Sequence, residues 1–201
     1  METTHIVNLA VFASGEGTNF ERICQACASG ELPAQVKVLI ASRPNIGAIA
    51  RAKKWDVDVE AIPVDDHADF EDWDRAVVQV LHHHQIDFIV LAGFLKKIGP
   101  AVVSEYSGKI VNTHPSLLPK YGGKGMYGMR VHQAVIENKE PESGCTVHWV
   151  NENYDEGNII AQKKVKVSPG DSPEQLAQKV KAVEPDFLVS VLKSVLLKAS
   201  S

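Results

Sequence analysis

Cysteine is scarce and odd in number, with three in 201 residues at positions 24, 27 and 145. An odd count argues against a disulfide framework, and Cys24-Gln-Ala-Cys27 has no second pair of ligands to complete a zinc site. Buried reduced thiols in a cytoplasmic protein are expected. A basic surplus is also missing: the formal net charge is −4, which disfavours a nucleic-acid surface. The opening METTHIVNLAVFAS lacks the basic start and small-residue cleavage pattern of a signal peptide. No apolar run approaches the roughly 18–20 residues needed to cross a bilayer. Linkers rich in Pro, Gly or Ser, internal repeats and low-complexity segments are absent too. What is there is an ordinary globular balance, 44% hydrophobic and 23% charged, enough to bury a substantial core.

Apolar β-branched runs alternate with helical patterns. Strands are expected at His5–Ala13, Val36–Ser42, Val59–Val64, Phe88–Ala92, Ile110–His114, Thr146–Val150 and Ile159–Val167. Helices are expected at Asn19–Ala28, Ile46–Lys54, Phe70–His84, Pro100–Tyr106, Met129–Asn138 and from about Pro173 to Lys198. The early strands are continuously apolar, as when both faces of a sheet are covered. Repeated β-α units imply right-handed crossovers and a mostly parallel sheet of about seven strands in one α/β domain. The last two strands flank Tyr154-Asp-Glu-Gly157 and are expected to bring mixed direction. Thr18-Asn-Phe-Glu21 and Ser172-Pro-Glu-Gln175 each fit a capping box, the second with proline at the first helical position.

The turn Ser14-Gly-Glu-Gly-Thr-Asn19 joins the first strand to the first helix. Glycines there let the backbone approach an anion, and free N–H groups at the helix start attract it. A dinucleotide fingerprint fails because Phe20 stands where glycine is needed, and Ala41-Ser42-Arg43 offers no acidic residue for a ribose. The Gly123-Lys124 stretch fails the Walker pattern. A phosphorylated small molecule suits this turn better than a nicotinamide dinucleotide or ATP, although any tight β-α turn also wants glycine.

Asn112 and His114 occupy alternate positions of an extended segment, so they project from one face, roughly 6–7 Å apart at Cα. Pro115 keeps His114 out of the α region. The pair lies at the C-terminal end of a strand, where open parallel sheets bind ligands. An amide and an imidazole without an adjacent Ser or Cys nucleophile suit oxyanion stabilisation and proton movement. The plainer alternative is a turn-capping Asn and a packed His. Asp155 could hold His114 as imidazolium or order a water, with Glu156 as an adjacent competitor. His82-His83-His84 resembles a metal tract, but consecutive helical residues point about 100° apart, so a solvated helix end is expected. Structural parts are expected for His132 and His148, and an exposed strand face for the lysines of 163–166.

Four segments taken together, Ser14–Asn19, Ala92-Gly-Phe-Leu-Lys-Lys-Ile98, Asn112-Thr-His-Pro-Ser-Leu-Leu-Pro119 and Tyr154-Asp-Glu-Gly-Asn-Ile-Ile160, resemble the phosphoribosylglycinamide formyltransferases. The resemblance runs from about Ile6 to Leu196 with all motifs in family order. It implies a Rossmann-like formyltransferase fold, with a phosphate-binding half at about 1–100 and a folate and catalytic half at about 88–201. It also implies transfer of the formyl group of 10-formyltetrahydrofolate to the amine of 5-phosphoribosylglycinamide in purine biosynthesis, with no metal. Asn112, His114 and Asp155 match the catalytic trio, with His114 protonated to steady an oxyanion. Gly15, Gly17, Thr18 and Asn19 match the phosphate cradle, and Glu184 the acidic residue that meets the ribose. Leu95, Lys96, Lys97 and Ile98, with Asn112, Asn151 and Asp155, match the folate site.

The sequence departs from that pattern in three places. Phe70 stands where many members carry an arginine near the folate tail. Tyr121–Gly128 is a longer, glycine-rich loop, and Pro185 replaces a common histidine. A formyltetrahydrofolate deformylase, using the same trio with water as acceptor, is the nearest alternative. The expected partners are small-molecule substrates, with no nucleic acid or membrane, acting on a monomer or homodimer.

Overall fold

The computed structural model describes residues 6–199. Seven strands form one sheet: β1 (Val7–Ala13), β2 (Ala34–Ala41), β3 (Asp58–Ala61), β4 (Phe88–Leu91), β5 (Ile110–His114), β6 (Glu142–Trp149) and β7 (Ile159–Lys166). Six α-helices accompany them: α1 (Thr18–Ala28), α2 (Gly47–Lys54), α3 (Phe70–His83), α4 (Pro100–Glu105), α5 (Met129–Glu137) and α6 (Pro173–Ala199). The strand order is β3-β2-β1-β4-β5-β6-β7. The first five strands pair in parallel, while β6 runs antiparallel to both β5 and β7. The expected mostly parallel sheet with mixed direction at its end is the one observed.

The continuous apolar runs are explained by two cores, one on each sheet face. Along β1, Leu9, Val11 and Ala13 enter one core with Phe20 and Ile23 of α1 and Leu188 and Leu192 of α6. The alternate residues Ala10 and Phe12 enter the other with Trp73 and Val77 of α3 and Val102 of α4. Period-two alternation thus divides one hydrophobic strand between two layers of helices. Trp73 is fully buried and donates its indole N–H to the Ile62 carbonyl at 3.0 Å.

Several boundaries differ from the sequence expectation. β6 begins at Glu142, four residues before Thr146, because its first residues pair with Lys166 and Val165 of β7. Local composition around Pro141 and Gly144 hid that pairing. β3 stops at Ala61 and a single 3₁₀ turn covers Val64–Asp66, since Pro63 has no N–H to continue the ladder. The expected start of β1 at His5 lies outside the described residues.

The capping box at Thr18 is not formed. Gly17 is the N-cap of α1, in the left-handed region at φ 77, and Glu21 pairs with Arg51 of α2 instead. A side chain on Gly17 would come within 2.6 Å of Ala48, so close packing of α2 selects glycine at that cap. At Ser172 the box is complete: Ser172 N–H donates to Gln175 Oε1 at 2.8 Å, and Gln175 N–H donates to Ser172 Oγ at 3.2 Å. Of the thiols, Cys24 and Cys145 are buried and Cys27 is half-buried, all unpaired. His84 is not part of a solvated helix end, because its side chain is only 9% exposed beside Asp58, 3.6 Å away. No described helix is long and apolar enough to cross a membrane.

Candidate functional site

A cavity of about 610 Å³ opens at the C-terminal ends of β4 and β5. This is the end of a parallel sheet at which strands deliver side chains and loops to a ligand. Asn112, His114 and Asp155 meet on its wall, brought together from β5 and from the turn between β6 and β7. The Asp155 carboxylate lies 3.5 Å from His114 Nδ1 through Oδ2, and accepts from Asn112 Nδ2 at 3.4 Å through Oδ1. Gly123 N–H donates to Oδ2 at 2.9 Å, tying the glycine-rich loop to the same carboxylate. Asp155 has φ 55, a left-handed conformation that aspartate tolerates better than most residues. Its competitor Glu156 turns away and accepts from Asn153 Nδ2 at 2.8 Å.

His148 completes this cluster. Antiparallel pairing sets His148 directly opposite Asn112. Its Nδ1 lies 2.8 Å from the Trp149 carbonyl, which places the proton there and leaves Nε2 to accept from Asn112 Nδ2 at 3.0 Å. The Asn112 amide is therefore oriented by a hydrogen bond that only its nitrogen can satisfy. One of its N–H groups is held at 3.0 Å and the other only loosely at 3.4 Å.

His114 is 4% exposed, and burial pushes its pKa below the ordinary histidine value. The Asp155 carboxylate and the Tyr121 carbonyl, 2.7 Å from Nε2, oppose that shift without overcoming it. Burial thus favours the neutral ring, and the Asp155 carboxylate beside it favours the imidazolium. For Asp155, burial pushes the pKa up, but the positive charge that His148 and His114 can carry and the Gly123 N–H outweigh it and hold the carboxyl below its usual range. Asp155 is the charged member and His114 the one poised to exchange a proton.

The strand-end segment of the site is anchored from both sides. Pro115–Pro119 follows His114, and its backbone is held by Thr146: the hydroxyl donates to the Ser116 carbonyl at 2.6 Å and accepts from Leu118 N–H at 3.0 Å. The Leu118–Pro119 bond is cis. Leu95, Lys96, Lys97 and Ile98 form a second wall. Ser14 Oγ accepts from Leu95 N–H at 2.9 Å. The buried Asp74 carboxylate accepts from Ala101 N–H at 2.7 Å, capping α4 just beyond the wall. A charge at that helix start also complements the helix dipole. Lys97 Nζ lies 5.8 Å from the centre of the Tyr154 ring, closing the gap between this wall and the Asp155 turn. Asn151 also lines the cavity and uses its Oδ1 to accept from Asn153 N–H at 3.0 Å.

A third wall comes from α1 and α6. Asn19 and Glu184 both line it, and Thr113 donates its hydroxyl to Glu184 at 2.7 Å. Gly15, Gly17 and Thr18 lie in the turn before Asn19 but are not among the lining residues. Pro185 sits inside α6 without ending the helix. Phe70 stacks on Trp73 with ring centres 5.3 Å apart and does not line the cavity.

Among the lining residues that the sequence did not single out for function are Lys181, His148 and His132. Lys181 precedes Glu184 by three positions on α6, a spacing that puts both on one helix face, and that spacing was a readable signal. His148 and His132, expected to be structural, are buried and also line the cavity. His148 was findable only with the β5–β6 register in hand.

Residues 7–192 match the formyl transferase family. The chain is 38% identical over 188 residues to an Arabidopsis thaliana protein named phosphoribosylglycinamide formyltransferase, chloroplastic. That match covers 93% of this chain but 64% of the relative, so the chain spans less than two thirds of that protein. A solved glycinamide ribonucleotide transformylase 1 from Geobacillus kaustophilus superposes with TM-score 0.89 at 39% identity, covering 96% of this chain and 100% of the other. A formyltetrahydrofolate deformylase from Pseudomonas syringae superposes with TM-score 0.86 at 26% identity, covering 96% of this chain and 62% of the other.

Proposed function

We propose, from the premise that this chain belongs to the formyl transferase family, that it transfers the formyl group of 10-formyltetrahydrofolate to the primary amine of 5-phosphoribosylglycinamide, a step of purine biosynthesis. The observation that carries the reading is the meeting of Asn112, His114 and Asp155 on a cavity whose remaining walls differ in chemistry. Its volume lies in the range of small-molecule sites. The wall of Leu95–Ile98 offers Leu95, Ile98 and backbone groups to a flat pterin. The wall of Asn19, Lys181 and Glu184 offers an amide, a cation and a carboxylate to a ribose phosphate. Gly15, Gly17 and Thr18 would add backbone N–H groups at the start of α1. In this reading the segment at about 1–100 supplies the phosphate cradle, and that at about 88–201 the folate wall and the chemistry.

The amine attacks the formyl carbon, a C–N bond forms, and the carbonyl oxygen becomes an oxyanion. The loosely held N–H of Asn112 is redirected to that oxygen, since a charged acceptor makes the stronger hydrogen bond. Negative charge beside His114 favours its imidazolium, so the ring gains a proton when charge appears. The proton is the one the attacking nitrogen must lose, and Asp155 supports its passage. When the bond from carbon to folate N10 breaks, its electron pair goes to N10, which takes the proton, and the carbonyl re-forms. No covalent enzyme intermediate is required, and the described wall carries no serine or cysteine.

The test is to mix the protein with 10-formyltetrahydrofolate, with and without the ribonucleotide, and follow folate release. Release that requires the ribonucleotide supports the proposal. Equal release with water alone would make the protein a deformylase, and no release in either mixture would refute catalysis.

A further inference from the structure

One polar group at the cavity has no part in the scheme above. His132 lies in the first turn of α5, is 5% exposed, and lines the cavity beside α6. Its Nδ1 is sealed from solvent and has no hydrogen-bond partner among the described residues. A buried polar nitrogen left unpaired destabilises the fold by about 1–3 kcal/mol, and such groups call for an explanation. Packing gives none: a leucine would fill much of the same space between Val131 and Val135, both buried, without an orphaned nitrogen. The charged and titratable groups within electrostatic reach are Lys181 from α6 and His114 from β5. Together with burial they hold the ring neutral, with its pKa lowered to about 4. A neutral imidazole carries one proton, and an unpaired N–H is costly where no water reaches. The tautomer with its proton on Nε2 leaves the sealed Nδ1 bare and makes Nε2 the donor of a residue that lines the cavity.

We propose that His132 is a substrate-binding residue that donates a hydrogen bond from Nε2 to an oxygen of the ribonucleotide, and that it does not serve the folate. This rests on the functional reading given above. The assignment to the ribonucleotide follows from position. His132 lies within reach of Lys181 on the wall that also carries Glu184 and Asn19, whereas the folate wall of Leu95–Ile98 comes from the β4–α4 segment. Asn19 is the other orphan here, with its Oδ1 buried and unpartnered.

The variants are His132→Leu, which removes the donor, and His132→Asn, which keeps a shorter one. For His132→Leu the ribonucleotide KM should rise about tenfold, the loss of one hydrogen bond, with kcat and the formyl-folate KM within about twofold. The Asn variant should recover part of the loss. Thermal stability of the Leu variant should be unchanged or higher, because the orphaned nitrogen is gone. An unchanged ribonucleotide KM, or a rise confined to the folate, would overturn the proposal. A fall in Tm with no kinetic change would make His132 structural. Calorimetric binding of the ribonucleotide alone, compared between wild type and His132→Leu, decides the matter without turnover. Wild-type protein that binds the ribonucleotide but transfers nothing would refute the functional reading while leaving this inference standing on the binding difference.

Discussion

Replacing Asp155 by asparagine removes a charge from the site with almost no change of shape. The asparagine Oδ1 can still accept from Gly123 N–H, now at 2.9 Å, so the turn and the glycine-rich loop should keep their places. The charge itself is lost 3.5 Å from His114 Nδ1. At an effective dielectric of about 20, two unit charges at that separation interact by roughly 5 kcal/mol. If the imidazolium forms only as the oxyanion develops, that energy is lost mainly from the transition state. At about 1.4 kcal/mol per decade it corresponds to a fall in kcat of about three to four decades. The ribonucleotide KM should stay within a few-fold, since the wall of Asn19, Lys181 and Glu184 does not include the charge. Steady-state kinetics with each substrate varied in turn gives the split. Proton NMR titration of His114 gives a second readout, because its pKa should fall further once the opposing carboxylate is gone. A kcat within tenfold of wild type, or an unshifted His114, would refute the assignment of Asp155 as the charge that supports His114.

Two further outcomes follow from the geometry. At Gly157→Ala the added Cβ would fall far inside van der Waals contact with the Trp149 carbonyl oxygen. The start of the β6–β7 pairing must then open, lowering stability by at least about 2 kcal/mol and Tm by roughly 5 °C or more, with activity lost as the Asp155 turn moves; unfolding curves matching wild type would show the approach is not as close as drawn. The pKa of His132 is depressed to about 4 from 6.5. The folded protein thus binds fewer protons than the unfolded chain between those values. The corresponding stability is present above about pH 6.5 and is lost as pH falls toward 4, at most about 1–2 kcal/mol between pH 7 and 5. Urea unfolding at both pH values, compared between wild type and His132→Leu, should show that part of the acid sensitivity disappear in the variant; equal sensitivity would mean His132 is not buried neutral.

Local sequence determined a good deal of this protein. Period-two and period-3.6 patterns are short-range properties, so continuous apolar strands, amphipathic helices and the β-α alternation were readable directly. The placing of Asn112 and His114 on one face followed from strand geometry alone, and their strand-end position from Pro115 and the rule for parallel sheets. The capping box at Ser172 was equally local, since Pro173 and Gln175 leave it little alternative. The same pattern at Thr18 failed because the contact that decides it, Gly17 against Ala48, comes from a helix some thirty residues on.

Tertiary structure decided everything that depended on two distant segments meeting. Whether Asp155 or Glu156 faced the site turned on a left-handed residue in the turn, which spacing does not encode. His148 entered the cluster through the β5–β6 register, in which a shift of one residue would have put it on the other face. The lowering of the His114 pKa comes from burial outweighing a carboxylate, a balance that exists only once the cavity is built. His132 was legible as a histidine on an apolar helix face. That its nitrogen would be sealed without a partner is a property of packed helices, because a hydrogen bond is satisfied or orphaned only by what folds against it.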